Sequence, residues 1–350
     1  MVLINLDDSN HIFVIAEAGS NWKVNTFEED MKMAKNLIKV AKDAGADAIK
    51  FQTYKSETVY VKNAGTSDYL AKNGIKESIN DIFDRLSMPY AMIPELSDYC
   101  KKHNIRFMST PFSVKDAENI DPFVEIHKIA SFEINHVRLL EFISKTRKPV
   151  IISTGASTFN EIDFAIELFK KNNNELISFL QCTSKYPAPI HSLNLSVIPK
   201  IKRRYNVSVG LSDHSINPII APLVAIGYGA TIIEKHFTLD RNLPGPDHRF
   251  ALIPSELESM IKSIRSAELT KGNGEKIILD EELDLRRFAT RSIQAIKNIS
   301  KGELLQEGIN FDVLRPGNRT RGTEARFLDQ IIGKRSVNDV KKDEGIINYY

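Results

Sequence analysis

Val207-Ser208-Val209-Gly210-Leu211-Ser212-Asp213-His214 and Ala230-Thr231-Ile232-Ile233-Glu234-Lys235-His236 decide how this chain is read. Each is a short apolar run that stops on groups able to bind a metal ion or an anion. Buried strands with such ends belong at the C-terminal mouth of a parallel barrel, where catalytic groups collect. Apolar, often β-branched runs recur toward the N-terminus at 12–16, 48–51, 105–108, 125–129, 149–152 and 176–180. Helical spacing fills the gaps and the tail of the series, at 27–44, 94–103, 114–120, 136–144, 159–171, 195–204, 218–227 and 254–269. Gly45, Gly227 and Gly229 stand where a helix must end and turn back toward a strand. Eight such repeats predict an α/β fold, a closed (β/α)8 TIM barrel. The alternative is an open doubly wound sheet, which lacks support because no GxGxxG follows 12–16.

The character changes after about residue 269. Lys271-Gly272-Asn273-Gly274 and the charged stretch 280–287 read as a linker, dividing the chain into a barrel at 1–270, a linker at 271–287 and a small domain at 288–350. In the last part, short runs at 292–296, 311–314 and 345–349 alternate with turn signals at Lys301-Gly302, Pro316-Gly317 and 341–344. So small a domain buries little core by itself, so docking to the barrel or a partner subunit is expected.

The 350 residues carry Lys+Arg 47 against Asp+Glu 45, a formal charge of +2. That balance gives no reason to expect nucleic acid or an anionic membrane as partner. The basic clusters at 200–204 and 315–326 read as solvated surface. The two cysteines form no CxxC, and Cys100 reads as a packing residue. No apolar run approaches the length of a membrane span, and residues 1–10 lack a leader pattern. A soluble cytoplasmic enzyme is the expectation.

The strand ends form a chemical inventory: Glu17; Lys50 and Gln52; Ser109 and Thr110; Lys128, Ser131 and Glu133; Ser153 and Thr154; Thr183 and Ser184; Asp213 and His214; Lys235 and His236. Polar groups facing an enclosed cavity need partners, so their recurrence at nearly every strand points to a site. His214 and His236 end adjacent strands and can meet at one divalent ion, with Glu17 supplying a carboxylate from the strand next door. The plainer alternative is a general base or a hydrogen-bonded wall histidine. His11, His103, His127, His136 and His191 read as surface or packing residues, with His248 intermediate. Lys50 and Lys128 end buried runs, and each ammonium needs a counter-anion or must lose its proton. They suit a phosphate and a carboxylate on one small ligand, and equally a Schiff-base enzyme. Ser153-Thr154-Gly155-Ala156-Ser157 can hold an anion or simply cap the helix from residue 159. No P-loop is present.

With these residues in place, the chain resembles the sialic acid synthase family, whose members condense phosphoenolpyruvate with an N-acylated amino sugar. The resemblance runs through Ile15-Ala16-Glu17-Ala18-Gly19, Ile49-Lys50-Phe51-Gln52-Thr53, Met108-Ser109-Thr110-Pro111-Phe112, Lys128-Ile129-Ala130-Ser131-Phe132-Glu133 and Ser153-Thr154-Gly155. It continues in Cys182-Thr183-Ser184-Lys185-Tyr186-Pro187-Ala188-Pro189, Gly210-Leu211-Ser212-Asp213-His214, Glu234-Lys235-His236-Phe237-Thr238 and Pro244-Gly245-Pro246-Asp247-His248. The tail resembles that family's antifreeze-like (SAF) domain through Lys301-Gly302-Glu303-Leu304-Leu305 and Leu314-Arg315-Pro316-Gly317.

The resemblance implies a homodimer in which the small domain covers the partner's barrel mouth. It implies His214 and His236 as ligands of one divalent metal, Mn or Mg, with Glu17 beside them as a catalytic group. Lys50, Thr110, Lys128, Ser131, Ser153, Ser184 and Tyr186 would bind or border phosphoenolpyruvate. Gln52, Glu133, Asp247 and, from the partner, Phe288 and Arg315 would contact the sugar. N-acetylmannosamine is the expected acceptor, giving N-acetylneuraminate. The other substrates weighed are the 2,4-diacetamido-trideoxyhexoses of legionaminic and pseudaminic acid synthesis. More distant readings are a Schiff-base aldolase and a non-catalytic carbohydrate-binding protein. Two stretches depart from the family pattern. Ser20-Asn21-Trp22-Lys23-Val24-Asn25 has an indole where many members have histidine, so that Trp22 either lines the entrance or packs on its neighbours. Asn318-Arg319-Thr320-Arg321-Gly322 follows Arg315-Pro316-Gly317 in place of a Gly-Ile-type continuation.

Overall fold

Side-chain alternation organises the molecule. In the computed structural model, which describes residues 6, 10–66 and 77–350, one sheet of eight parallel strands carries the larger unit. Its strands are β1 Phe13–Gly19, β2 Ala48–Thr53, β3 Arg106–Pro111, β4 His127–Ile129, β5 Val150–Ser153, β6 Ile177–Cys182, β7 Ser208–Asp213 and β8 Ile232–His236. The order is β3-β2-β1-β8-β7-β6-β5-β4, so the first strand pairs with the last. Hydrogen-bonded ladders join these neighbours, and β3 packs beside β4 to bring the ring nearly to closure. A nearly closed (β/α)8 barrel, not an open sheet, is therefore the fold.

Successive residues of a strand face opposite sides. One parity points outward, where Val14, Ala16, Ile49, Phe51, Phe107, Ile152, Phe179, Val209 and Ile233 join the apolar faces of the helices in one core. The other points into the ring: Phe13, Ile15, Ala48, Met108, Ile126, Ile151, Leu180 and Ile232, together with Leu6, fill its lower part. Gly210 belongs to this inner set. A Cβ there would lie 2.2 Å from the Ile232 carbonyl oxygen and 2.6 Å from Leu180 Cδ2, so only glycine fits.

The first helix shows how the outer layer is set. Thr26 caps it by accepting from the Glu29 N–H, and the Glu29 carboxylate accepts in return from the Thr26 N–H. Three acidic residues occupy its first turn and Lys42 its last, both favourable to the helix dipole. Ala34, Leu37, Ile38 and Ala41 form its buried stripe, and the chain turns at Gly45 with φ 90°.

The strands run further than their apolar cores. β7 extends to Asp213 and β8 to His236 because the backbone ladders continue where inward side chains turn polar. Two short helices after β2, Ser56–Val59 and Ile79–Leu86, were not among the sequence expectations. They rest on an aromatic cluster of Tyr54, Phe83 and Phe112. The leader question at residues 1–10 lies mostly outside the described residues. Cys100 is fully buried and unbonded, a packing residue as expected. Trp22 is 1% exposed within the main core, so the indole packs and does not line the entrance.

The chain divides into compact units at 1–272 and 273–350. In the second, β9 Ser292–Ala295 pairs antiparallel with β10 Phe311–Leu314 around a core that includes Ile293, Leu305, Phe311, Ile331 and Ile346. The stretch 280–287, expected as linker, carries the start of a helix at Leu283–Ala289. The run at 345–349 forms isolated bridges instead of a strand. There the backbones cross so closely that a Cβ on Gly345 would lie 2.1 Å from the Gly322 nitrogen. That crossing interrupts any longer ladder.

On the barrel's N-terminal side, Asp121 Oδ1 lies 2.9 Å from His127 Nε2 and 2.8 Å from Lys148 Nζ. The hydrogen bond from His127, together with Lys148, pulls the Asp121 pKa down to about 2. A carboxyl depressed on folding contributes stability above its unfolded pKa, and that contribution disappears as pH falls toward the folded value. Asp121→Asn should cost about 1 kcal/mol at neutral pH. The difference from wild type should shrink steadily below pH ~4, as measured by denaturant titration across pH.

Candidate active site

Continuing the inward parity of the strands past the apolar layer gives the site. Glu17, Lys50, Gln52, Thr110, Lys128, Ser153, Cys182, Ser212, Glu234 and His236 all occupy that face at the C-terminal mouth, joined there by Ser131, Tyr186 and His214 from the loops. The ladder register sets Glu17 opposite both Lys50 on β2 and His236 on β8. A larger hollow of about 550 Å³ opens at the other end of the barrel beside Phe107, Val124 and Pro149. It holds no comparable convergence of histidines, carboxylates and lysines.

Two lysines and two carboxylates form the buried centre. Lys50 Nζ lies 2.7 Å from Glu17 Oε2 and 3.7 Å from Glu234 Oε2, and it donates to Thr110 Oγ1 at 2.8 Å. Lys128 Nζ lies 3.8 Å from Glu234 Oε1 and donates to Ser153 Oγ at 2.6 Å. Ser212 donates to Glu234 at 2.8 Å, and Gln52 to Glu17 at 3.1 Å. The counter-anions required by both lysines are thus built into the barrel.

The proton affinities divide accordingly. Burial raises Glu17, and repulsion from Glu234 adds to it, against the pull of Lys50. Burial also works against the Glu234 carboxylate, but Lys128 and Lys50 outweigh it and hold the group well below the usual range. Burial lowers Lys128, with Glu234 opposing, whereas at Lys50 the two carboxylates overcome burial and raise the pKa. Glu133 is pushed up to about 7 by burial, against the attraction of Lys128.

The two histidine rings lie 5.5 Å apart, centroid to centroid, with Tyr186 4.1 Å from His214 and 6.2 Å from His236. His214 Nδ1 is 2.9 Å from the Thr183 carbonyl oxygen. Donation to that oxygen leaves Nε2 with the lone pair a metal ion needs, the usual outer-shell arrangement of a ligand histidine. Burial, reinforced by His214 and Lys50, holds the His236 pKa well below its ordinary value, and its buried Nδ1 has no hydrogen-bond partner. At His214 burial is outweighed by Cys182 and the Thr183 carbonyl, which raise the pKa, so a divalent ion there would displace a proton that His236 does not hold. With a carboxylate nearby the two rings fit such an ion. No group of three or more His, Cys, Asp or Glu forms a ready cage among the described residues, so part of the coordination shell would come from ligand or water.

The remaining expected residues of the barrel unit fall around this centre, whereas Phe288 and Arg315 belong to the second unit. Ser184 stands beside the centre: a Cβ on Gly155 would lie 2.3 Å from Ser184 Oγ and 2.9 Å from Ser131 Oγ. The Gly155 N–H already donates to Ser131, and the N–H and hydroxyl of Thr158 donate to Glu161, so Thr158 caps the following helix. Glu133 is buried on the turn Ser131–Glu133 with Oε2 unpartnered. Asp247 approaches over Gly19, where an added Cβ would meet its Oδ2 at 2.8 Å, and Glu17 Oε1 and His236 Cε1 each at 3.4 Å. In the second unit the Gly317 N–H donates to the Phe288 carbonyl, holding the Arg315-Pro316-Gly317 loop beside Phe288.

Several strand-end residues of the inventory stand outside this lining: Ser109 pairs with Thr53 at 2.7 Å, Thr154 and Thr183 donate to the Leu180 and Ser192 carbonyls, and Asp213 and Lys235 pair with each other. Lys235 Nζ lies 2.5 Å from both Asp213 Oδ2 and the Ser215 carbonyl oxygen, an ion pair that secures the loop after β7. Glu234, which faces inward, was not among the expected site residues, nor was Ser212. Alternation held the signal: if His236 points into the barrel, Glu234 does too.

A model for the NeuB family matches residues 37–276, and one for the SAF domain matches residues 290–347. A pseudaminic acid synthase of Campylobacter jejuni is 36% identical over 344 residues, with 97% of each chain covered. An N,N'-diacetyllegionaminic acid synthase of the same species is 36% identical over 335 residues, covering 95% of this chain and 97% of the relative. A solved N-acetylneuraminic acid synthetase of Leptospira borgpetersenii superposes with a TM-score of 0.69 at 34% identity, covering 79% of this chain and 92% of that one. The chain belongs to the NeuB family, the nonulosonic acid synthases that condense phosphoenolpyruvate with a sugar, and it carries a SAF domain after the barrel.

Proposed function

We propose that this protein condenses phosphoenolpyruvate with N-acetylmannosamine and water, giving N-acetylneuraminate and phosphate. The observation that carries the chemistry is the convergence of Lys50 and Lys128, with the hydroxyls of Thr110, Ser131 and Ser153, beside the histidine pair. Those cations and donors suit the phosphate and carboxylate of one small dianion. Ser184 and Tyr186 border the same pocket. Gln52, Glu133 and Asp247 take the sugar, as do Phe288 and Arg315 of a partner subunit in a cytoplasmic homodimer.

The C2=C3 π pair of phosphoenolpyruvate forms the bond from C3 to the aldehyde carbon of the open-chain sugar, while the lysines hold the phosphate and carboxylate. The aldehyde C=O π pair moves onto oxygen, which ends as a hydroxyl with the proton that the adding water releases. Water adds at C2, and Glu17, whose raised pKa suits a base, takes its proton. The tetrahedral adduct then breaks its C2–oxygen bond to phosphate and leaves the 2-keto acid. A divalent ion, Mn or Mg, held by His214 and His236 would supply Lewis acidity toward the sugar aldehyde. A second reading, a 2,4-diacetamido-trideoxyhexose as acceptor, is favoured by the two Campylobacter relatives at 36% identity.

Purified protein with phosphoenolpyruvate, Mn and a panel containing N-acetylmannosamine and 2,4-diacetamido sugars should release phosphate and nonulosonic acid in equal amounts. The sugar giving the highest kcat/KM identifies the acceptor. Phosphate release with none of them would overturn the synthase reading, and a borohydride-trapped lysine–pyruvate adduct would favour an aldolase. His236→Ala should lower metal-dependent turnover by about 100-fold or more with the fold intact, whereas full activity of the wild type in metal-free buffer contradicts the metal assignment. Arg315→Ala should raise the sugar KM more than the phosphoenolpyruvate KM. Mixing Arg315→Ala with His236→Ala protein should restore activity if the second unit serves its partner's barrel.

A further inference from the structure

We infer that Ser20 is a positioning residue that aims the Asp247 carboxylate at the sugar and thereby sets which acceptor is taken. The inference rests on the reading of Asp247 as a sugar-binding group.

β1 ends at Gly19, whose φ of 53° turns the chain sharply, and the Asn21 N–H closes the turn on the Ala18 carbonyl at 2.8 Å. Ser20 is the second central residue of that turn. Its hydroxyl donates to Asp247 Oδ2 at 3.0 Å, and its N–H points to the same oxygen at 3.4 Å. Among the described residues these are the hydrogen bonds that reach the Asp247 carboxylate. Both converge on Oδ2, so Oδ1 is the oxygen left to accept from a sugar hydroxyl or amide.

The platform under Ser20 is rigid. Asn21 Nδ2 donates to the Phe237 carbonyl, one residue beyond His236, at 2.8 Å. Trp22 is buried in the core directly after it. On the other side, the loop bearing Asp247 is anchored by the 2.7 Å contact of His248 Nδ1 with Thr238 Oγ1. Ser20 therefore ties together two segments that are each anchored beside the end of β8, at Phe237 and Thr238.

A carboxylate distinguishes sugar substituents only if its oxygens are fixed, because an unmatched donor or acceptor is penalised only when the partner cannot swing away. Free rotation of Asp247 would let it follow several hydroxyl arrangements. The bond from Ser20 removes that freedom at the stretch where this chain departs from the common family sequence.

The test is steady-state kinetics with the sugar identified by the panel. Ser20→Ala should raise the sugar KM about 10-fold, leave the phosphoenolpyruvate KM and the melting temperature unchanged, and narrow the difference in kcat/KM between preferred and disfavoured sugars. Ser20→Thr, which keeps the hydroxyl, should restore the sugar KM. Asp247→Ala should raise the sugar KM at least as far, and adding Ser20→Ala to it should change nothing more. If Asp247→Ala leaves the sugar KM unchanged, the sugar role of Asp247 falls and this inference with it. If Asp247→Ala acts but Ser20→Ala does not, or moves both KM values equally while lowering the melting temperature, the positioning role alone is overturned.

Discussion

Four buried charges, Glu17, Lys50, Glu234 and Lys128, lie together at the barrel mouth, and the rest of the site is arranged around their balance. An unpaired lysine at such a position would lose its proton or destabilise the fold. Two carboxylates remove that problem without neutralising the pocket's affinity for anions. Glu234 is held between both lysines and Ser212, so it keeps its charge, whereas Glu17 is the carboxylate whose proton affinity rises. In the proposed reaction the incoming phosphate and carboxylate would compete with Glu17 for Lys50, and loss of that ion pair would raise the proton affinity of Glu17 further.

The barrel makes this arrangement possible through a single rule repeated on every strand. Inward residues are apolar below and polar above, and the change occurs within two residues: Ile15 to Glu17, Ala48 to Lys50, Ile126 to Lys128, Ile151 to Ser153, Ile232 to Glu234. The lower layer keeps water away from the charged layer from beneath, which strengthens each contact above it. Gly210 provides the room for this inner packing, and the Lys235–Asp213 pair secures the loop that carries His214. Stability and chemistry therefore share the same strands but divide by height along the barrel.

Much of this was legible from the sequence because β-branched runs with polar stops repeat at barrel spacing. The helix Phe159–Lys171 and strand β10 coincide with their sequence ranges. The convergence of Lys50, Lys128, His214 and His236 followed from the same logic. What escaped had physical causes. Lys235 and Asp213 looked like site residues because a strand end names two parities and only one faces inward. Glu234 was passed over although it shares the parity of His236. The helix Ile79–Leu86 depends on tertiary packing against Tyr54 and Phe112, and the broken ladder at 345–349 on a backbone crossing with Gly322. Neither contact is local in sequence. The family match at 36% identity supports the chemistry more firmly than it does any one sugar.

The central claim is that the paired lysines form the seat of the phosphoenolpyruvate dianion. Isothermal titration of phosphoenolpyruvate into wild-type protein and the Lys128→Met variant measures it directly. The account predicts that the variant keeps its circular dichroism spectrum and loses about 100-fold or more in phosphoenolpyruvate affinity, since a charge-assisted contact to a dianion is removed. An affinity equal to that of the wild type would contradict it.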